Sequence, residues 1–320
     1  MAALIPIDRN VSLVPFTTLR AGGSAEFFAI ATSTEQLGEL LARAQSETIP
    51  VCLLGAGSNI LPADDGVHGL VIVNRSRHIE FSTDGTVISD TGVSFQELFL
   101  KCAQRGLGGL EYAVGIPGTL GGALVSNAGA YRSNVSEFLT ALEIVVGSER
   151  HWVPPSWMEF KYRDSVLRSE NPRQAGLLRA KFELPRRKQH DIYEEARDYQ
   201  RQRISKQPPP ASAGSFFKNV NDPELARSLP SLPPKLKEAG VVPAGYLIEH
   251  VGLRGYRREG AMFGQRHANF ILNVGQATAS AIRTLANIAK TAVHDRFGVV
   301  LEEEVMYLGD WGRFVRTSST

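Results

Sequence analysis

The 320-residue chain carries 35 Lys and Arg against 33 Asp and Glu, and a net charge of +2 directs it neither to nucleic acid nor to an anionic membrane. At 43% hydrophobic and 21% charged residues it has the composition of a globular protein, long enough for two or three domains. The cysteines Cys52 and Cys102 have no metal-ligand spacing and read as buried thiols of a reducing compartment; MAALIPIDRN lacks the basic and apolar regions of a secretory signal, and no stretch reaches transmembrane length, so a soluble cytoplasmic protein is expected.

Residues 11–31 read as strand, glycine turn at Gly22-Gly23, then strand through EFFAIA. Ser33 or Thr34 caps a helix whose Leu37, Leu40, Leu41 and Ala44 share one face. PVCLL is a short buried strand closed by Gly55-Ala56-Gly57-Ser58-Asn59, the end of a βαβ unit. That turn lacks the third glycine and the following helix of the dinucleotide fingerprint, because Ile60, Leu61 and Pro62 come next. It is either a plain left-handed turn or a backbone site for pyrophosphate. LVIVN (70–74) has a central-strand pattern, 79–93 a hairpin around Asp84-Gly85, and 94–105 an amphipathic helix with a capping box at Ser94 and Glu97.

The run from Gly108 to Tyr131, GGLEYAVGIPGTLGGALVSNAGAY, is too rich in glycine for an ordinary helix or strand and too apolar for a surface linker. It is either a tight turn between buried elements or a loop whose backbone approaches a ligand, in the manner of phosphate-cradling glycine loops. Strands follow at 138–147, 151–153 and 176–184, with Tyr162, Arg163, Asp164 and Ser165 between them.

Segment 186–206 mixes Arg and Lys with Glu194, Glu195 and Asp198 and reads as a solvated helix laced with ion pairs, ended by Pro208-Pro209-Pro210. Beyond this boundary, ASAGSFFKN places Ser215, Lys218 and Asn219 on one loop; a helix within 235–253 ends near Gly245; a long helix runs from about Thr278 to Phe297. In the closing strand VVLEEEVMYLG, Glu302, Glu304 and Met306 share one face. Consecutive glutamates on an apolar strand are costly to bury, so at least one faces a solvent or ligand cleft. Ser215 does not lie in G-x-S-x-G, and His190, His250, His267 and His294 lack metal spacing. Arg163, Ser215, Lys218, Asn219 and Glu304 gain functional weight only if the fold gathers them.

Taken together, TTLRAGGSAEFF, LLGAGSNIL, GLEYAVGIPGTLGGALVSNAGAY, YRDS, PPPASAGSFFKN, AGYLIEHVGLRG, QRHANFILN and LEEEV resemble, in order and over nearly the whole chain, the UDP-N-acetylenolpyruvoylglucosamine reductases, flavoenzymes of peptidoglycan precursor synthesis. The resemblance implies an α+β protein. A two-subdomain FAD-binding fold of the vanillyl-alcohol-oxidase-like type would comprise residues 1–68, joined by a C-terminal strand at about 299–312, and 69–206; a third, substrate-binding α+β domain would span 207–298. It implies non-covalent FAD, NADPH as reductant, an enolpyruvyl UDP-sugar as substrate, and a monomer without metal, nucleic acid or membrane partners. Its catalytic residues would be Arg163, Ser215 and Glu304. FAD would be held by Gly55, Gly57, Ser58, Asn59, Gly115, Pro117, Gly118, Thr119, Gly121, Gly122, Ser126, Asn127 and Gly129, and substrate by Tyr162, Arg163, Lys218, Asn219 and Glu249. Val220 and Glu303 stand where the family often has proline, and the short connection from Leu184 to Ser215 matches the subclass lacking a tyrosine-bearing substrate loop.

Overall fold

The computed structural model describes residues 5–169, 171–206, 208 and 211–312. Two compact units interleave along the chain: one takes residues up to 11, 25–57 and 68–205, the other 12–24, 58–67 and 206 onward.

In the first unit, a four-stranded sheet runs in the order Asp8–Ser12, Ser24–Ala31, Val67–Asn74, Val51–Leu54. Val51–Leu54 pairs in parallel with Val67–Asn74, which therefore lies between the two strands expected to flank the helix. That helix, α1 (Thr34–Ser46), starts where Ser33 Oγ accepts the Gln36 N–H, and its Leu37, Leu40 and Ala44 are buried with Ala29, Ala31 and Ile72. Cys102 is buried as expected; Cys52, on a strand with one open face, is only half-buried. A second, five-stranded antiparallel sheet has the order Glu149–Val153, Leu139–Val146, Gly176–Glu183, Thr86–Asp90, Ile79–Phe81. Helices α2 (Phe95–Ala103), α3 (Leu120–Val125) and α4 (Gln189–Lys206) accompany it. Phe95, Phe99, Tyr112, Leu124 and Phe182 anchor the core beneath them.

The second unit has a sheet in the order Ser212–Ser215, Phe270–Asn273, Ala261–Phe263, Arg257–Arg258 and four helices, α5 (Pro223–Ser228), α6 (Pro234–Ala239), α7 (Ala244–His250) and α8 (Ala279–Phe297). The single helix expected within 235–253 is two: α6 stops at Gly240, which takes φ +66°, and α7 restarts after Pro243 with Gly245 inside it. Helix α8 is fixed at its start by Thr278 Oγ1, which accepts the Ala281 N–H, and by the Asp64 carboxylate, which accepts the Ala279 and Ser280 N–H groups at 2.8 Å each. The expected closing strand shrinks to Met306–Leu308, paired in parallel with Ile60–Pro62. Leu301 to Glu304 leaves regular strand geometry because its glutamates meet cations on separate elements. Ser215, expected on a loop, ends a short strand and pairs with Phe270. Among the described residues no helix is long and apolar enough to cross a membrane.

Candidate active site

In the first unit, the structure brings the GAGSN turn against the central glycine stretch. A Cβ on Gly55 would collide with the Thr119 hydroxyl, so the first loop presents bare backbone to a side chain of the second. Gly57, Gly115 and Gly118 all take positive φ, at +62°, +71° and +123°, and Pro117 lies between the latter two. Thr119 caps α3, its Oγ1 accepting the Gly122 N–H at 3.3 Å. Gly121 donates its own N–H to Thr91 O at 2.8 Å, and a Cβ there would stand 3.1 Å from Thr91; Gly121 is therefore held by the protein itself. Gly122 differs: it is exposed, and a Cβ would have only Thr119 Oγ1 near it, at 3.7 Å.

After α3, Ser126 Oγ donates to Gly122 O, and Asn127, at φ +42°, donates its Nδ2 to Lys161 O. Asn127 Oδ1 is buried without a hydrogen-bond partner among the described residues, and so are Tyr112 Oη and Arg203 Nε. Orphaned buried polar atoms are rare in folded proteins and mark places where a ligand or water completes the bonding. Burial pushes the Tyr112 hydroxyl well above its ordinary pKa, with the negative charges of Glu137 and Glu111 adding to it. Gly129 O accepts from Arg163 Nη2 at 2.5 Å, which ties Arg163, itself at φ +53°, to the end of the glycine stretch. Tyr162, next to it, is 59% exposed with Arg163 over its ring.

Arg203 was not singled out by the sequence, where it reads as one cation on a solvated helix. It instead lies against Gly115, with Cδ 3.2 Å from where a Cβ would be, donates Nη2 to Tyr112 O at 3.2 Å and sits over the Tyr131 ring. Tyr131 stacks in turn on Tyr199 at 4.0 Å. Burial, with the Arg163 charge contributing, lowers the Arg203 pKa from its ordinary value, and no carboxylate pairs with it among the described residues. Every third or fourth residue of α4 turns to the core, as the buried Ile192 and Ala196 show; that spacing was the available signal.

In the second unit, residues 215–218 form a strip held on both sides. Asn269, buried, accepts the Phe217 N–H through Oδ1 and donates Nδ2 to Phe217 O, while its carbonyl takes the Phe216 N–H. On the opposite side Glu304 N donates to Phe216 O and Lys218 N to Glu302 O, each at 2.8 Å. Asn59 Nδ2 holds Glu304 O at 3.0 Å. Ser215 and Glu304 thus sit at neighbouring ends of one clamped bridge, and the Ser215 hydroxyl has no hydrogen-bond partner among the described residues. Lys218 Nζ pairs with Glu302 at 2.5 Å, Asn219 Oδ1 accepts the Ala244 N–H, and Glu249 is exposed and paired with Arg254 at 2.7 Å.

Two family models match: an FAD-binding domain over residues 25–151, and the C-terminal domain of UDP-N-acetylenolpyruvoylglucosamine reductase over 204–308. The class of protein is a flavin-dependent oxidoreductase of mixed α and β structure. UDP-N-acetylenolpyruvoylglucosamine reductases from Synechococcus sp. strain JA-3-3Ab and Caldicellulosiruptor bescii are 39% and 36% identical, over 95% and 93% of this chain and 92% and 90% of theirs. The crystal structure of the UDP-N-acetylenolpyruvylglucosamine reductase from Thermus caldophilus superposes with a TM-score of 0.76 at 30% identity, covering 95% of this chain and all of that one. The chain belongs to the UDP-N-acetylenolpyruvoylglucosamine reductase family.

The residues present fit FAD. Two loops with positive-φ glycines meet where the bare backbone of Gly55 packs on the Thr119 side chain, Gly122 leaves room beside them, and Asn127 Oδ1 and Tyr112 Oη are buried and unsatisfied around the same stretch.

Proposed function

We propose a division of labour for the family's reaction, the NADPH-driven reduction of the enolpyruvyl group of UDP-N-acetylglucosamine enolpyruvate to the lactyl ether of UDP-N-acetylmuramate. Residues 1–68 with about 299–312, and 69–206, carry the cofactor; 207–298 carry substrate groups. FAD, when bound, supplies the hydride that NADPH delivers. Gly55, Gly57, Ser58 and Asn59 on one loop, and Gly115, Pro117, Gly118, Thr119, Gly121, Gly122, Ser126, Asn127 and Gly129 on the other, shape its cradle.

The substrate's vinyl terminal carbon gains hydride, and negative charge develops on the neighbouring carbon and its carboxylate. Arg163 binds that carboxylate as a permanent cation with a planar donor fork, held in place by Gly129 O. Ser215 donates the proton to the neighbouring carbon; its unpartnered hydroxyl supports the role. Glu304 orients the charge-bearing intermediate, its backbone fixed by Phe216 O and Asn59. Tyr162, Lys218, Asn219 and Glu249 hold the sugar nucleotide, Lys218 and Glu249 doing so as members of ion pairs. The protein acts as a monomer in the cytoplasm, where NADPH and soluble nucleotide sugars are found.

The observation that carries this reading is the close packing of Gly55 on Thr119, which joins the two glycine loops beside unsatisfied buried polar atoms. Purified protein is expected to be yellow, to bleach with NADPH without oxygen, and to regain colour when the enolpyruvyl substrate is added. After acid precipitation the flavin is expected in the supernatant; colour retained in the pellet, or recovery in air faster than with substrate, overturns the reading.

Arg203 adds an anion contact to this scheme. A buried guanidinium with an unsatisfied Nε and no carboxylate partner is costly unless an anionic ligand meets it. Arg203→Ala is expected to raise the KM for the UDP-sugar about 10²-fold or less, the loss of a charge-assisted hydrogen bond of about 1.5–3 kcal/mol, with flavin content unchanged. Arg203→Lys recovers only part of the loss, because an ammonium cannot reproduce the fork. Steady-state kinetics with each substrate varied in turn checks both.

A further inference from the structure

Two turns of the first unit have tyrosine followed by arginine at their centre. Tyr162 and Arg163 lie between Lys161 and Asp164, whose backbones bond each other at 3.1 and 3.3 Å, and Arg163 takes φ +53°. Tyr131 and Arg132 close the hairpin of Gly129–Ala130 and Ser133–Asn134, at φ +55° and +72°. By those angles the first is a type II turn and the second a type I′ turn, and in both the arginine holds the place that favours glycine. Among the described residues Tyr131-Arg132 is the only adjacent pair of non-glycine residues at positive φ. The two turns are tied together: Asn127 Nδ2 donates to Lys161 O at 2.9 Å, and Arg163 Nη2 donates to Gly129 O.

A side chain at such a position raises the energy of the turn, and strain of this kind gathers where the side chain is put to use. For Tyr131 the use is internal. Its ring stacks on Tyr199 at 4.0 Å, its hydroxyl donates to Tyr199 O at 3.1 Å, and the Arg203 guanidinium lies 5.6 Å from its ring centre. For Arg163 the use is the substrate carboxylate. Arg132 has no use within the protein: it is exposed and makes no hydrogen bond or ion pair among the described residues. The substrate of the reaction carries a second anionic group, a diphosphate joined to the enolpyruvyl carboxylate through one sugar ring. Gly129 O, which holds Arg163, is three residues from Arg132, no more than about 10 Å of extended chain. A carboxylate on Arg163 therefore leaves the diphosphate within an arginine's reach of the hairpin tip.

We propose that Arg132 is a second anion-binding residue of the substrate site, taking the diphosphate of the nucleotide sugar as Arg163 takes its carboxylate. The proposal rests on the reading of Arg163 as the carboxylate's cation. NADPH also carries a diphosphate; the UDP-sugar is assigned to Arg132 because its carboxylate sits on the linked turn. Tyr131, anchored on Tyr199 and beneath Arg203, fixes the backbone from which Arg132 projects. The left-handed geometry is then the cost of presenting a cation at the tip of a two-residue turn, where glycine would present nothing.

The test uses holoenzyme. Arg132→Gly removes the guanidinium and the strain together, so its thermal midpoint is expected to hold or rise. Flavin content and bleaching at each NADPH concentration are expected to match wild type. The enolpyruvyl substrate concentration for half-maximal reoxidation is expected to rise about 10-fold, the low end for a charge-assisted hydrogen bond because the group is exposed. The maximal reoxidation rate is expected to stay within about threefold, since the diphosphate is remote from the vinyl carbon. UDP as a competitor is expected to weaken by the same factor, and uridine not at all. Arg132→Lys is expected to fall between wild type and Arg132→Gly. Should glycine loosen the turn, Arg132→Asn repeats the measurement with a residue that also accepts left-handed geometry. An unchanged half-saturating concentration, equal weakening of NADPH or of uridine, or a loss confined to the maximal rate overturns the proposal. If wild type is itself not reoxidised by the enolpyruvyl substrate, the reading of the reaction fails; if wild type is reoxidised and Arg132→Gly is indistinguishable from it, only the role of Arg132 fails.

Discussion

Ser215→Ala is expected to stay yellow and to be bleached by NADPH at close to the wild-type rate, while its reoxidation by the enolpyruvyl substrate falls at least about 10²–10⁴-fold, the usual range for loss of a general acid. Both halves of that expectation follow from where the residue sits. The Ser215 hydroxyl makes no hydrogen bond among the described residues, and the strip it begins is held by Asn269 and the backbone of Glu302 and Glu304. Removing one oxygen therefore leaves no unsatisfied partner and loosens no clamp. The proton is needed only after hydride has reached the substrate, so the first half-reaction does not involve it. Glu304→Gln is expected to show the same asymmetry, because the amide is isosteric and the backbone contacts to Phe216 and Asn59 persist. Glu302→Gln, on a 70% exposed side chain whose amide oxygen can still accept from Lys218, is expected not to show this asymmetry. Stopped-flow absorbance of each half-reaction checks this; equal slowing of both in Ser215→Ala would make the serine a support for the strip rather than a proton donor.

The parts of this architecture with a local physical signature were legible in the sequence. Ser33, Ser94 and Thr278 do cap helices, and Asp84-Gly85 does turn a hairpin, because those signals depend on neighbours in the chain. The glycine stretch could be suspected of approaching a ligand from composition alone, since glycine without a polar surface has few other uses. Long-range matters were not legible. Nothing local says that Val67–Asn74 inserts beside Val51–Leu54, or that the closing strand contracts to Met306–Leu308. Charge patterning was read as a solvated face in α4, yet Arg203 turns inward, because Ile192 and Ala196 set which face of that helix is buried. The choice among the consecutive glutamates was open for the same reason: their alternation is visible in the chain, but the cations they meet, Arg283, Lys290 and Lys218, come from elsewhere in it.

Gly122→Leu is expected to fold at least as well as the wild-type protein and to lose its flavin, and the two results together are what make it informative. Several glycines of the cradle cannot test the site. A side chain at Gly55 would run into Thr119, one at Gly121 would press on Thr91 at 3.1 Å, and Gly115 and Gly118 hold positive φ. Substitution at any of these strains the protein itself, so lost colour would say nothing about where the cofactor lies. Gly122 is free of that confusion. It lies within α3, is exposed, and offers a Cβ nothing closer than Thr119 Oγ1 at 3.7 Å. Helix propensity does not oppose the change: Gly122 is the third residue of the six-residue α3, and glycine is the poorer helix former, by up to about 1 kcal/mol in a helix interior. The apo protein's thermal midpoint is therefore expected to hold or rise. The space beside Gly122 is open in the protein, and a ligand that comes against α3 there would meet the new side chain. A protein as stable as wild type but colourless, with flavin absent by absorbance at purification and not regained on incubation with FAD, places the cofactor against that face. Gly122→Ala is expected to lie between, with weakened but measurable FAD binding by fluorescence quenching. A fully yellow Gly122→Leu would move the cofactor off α3 and leave its glycines as packing residues of the turn.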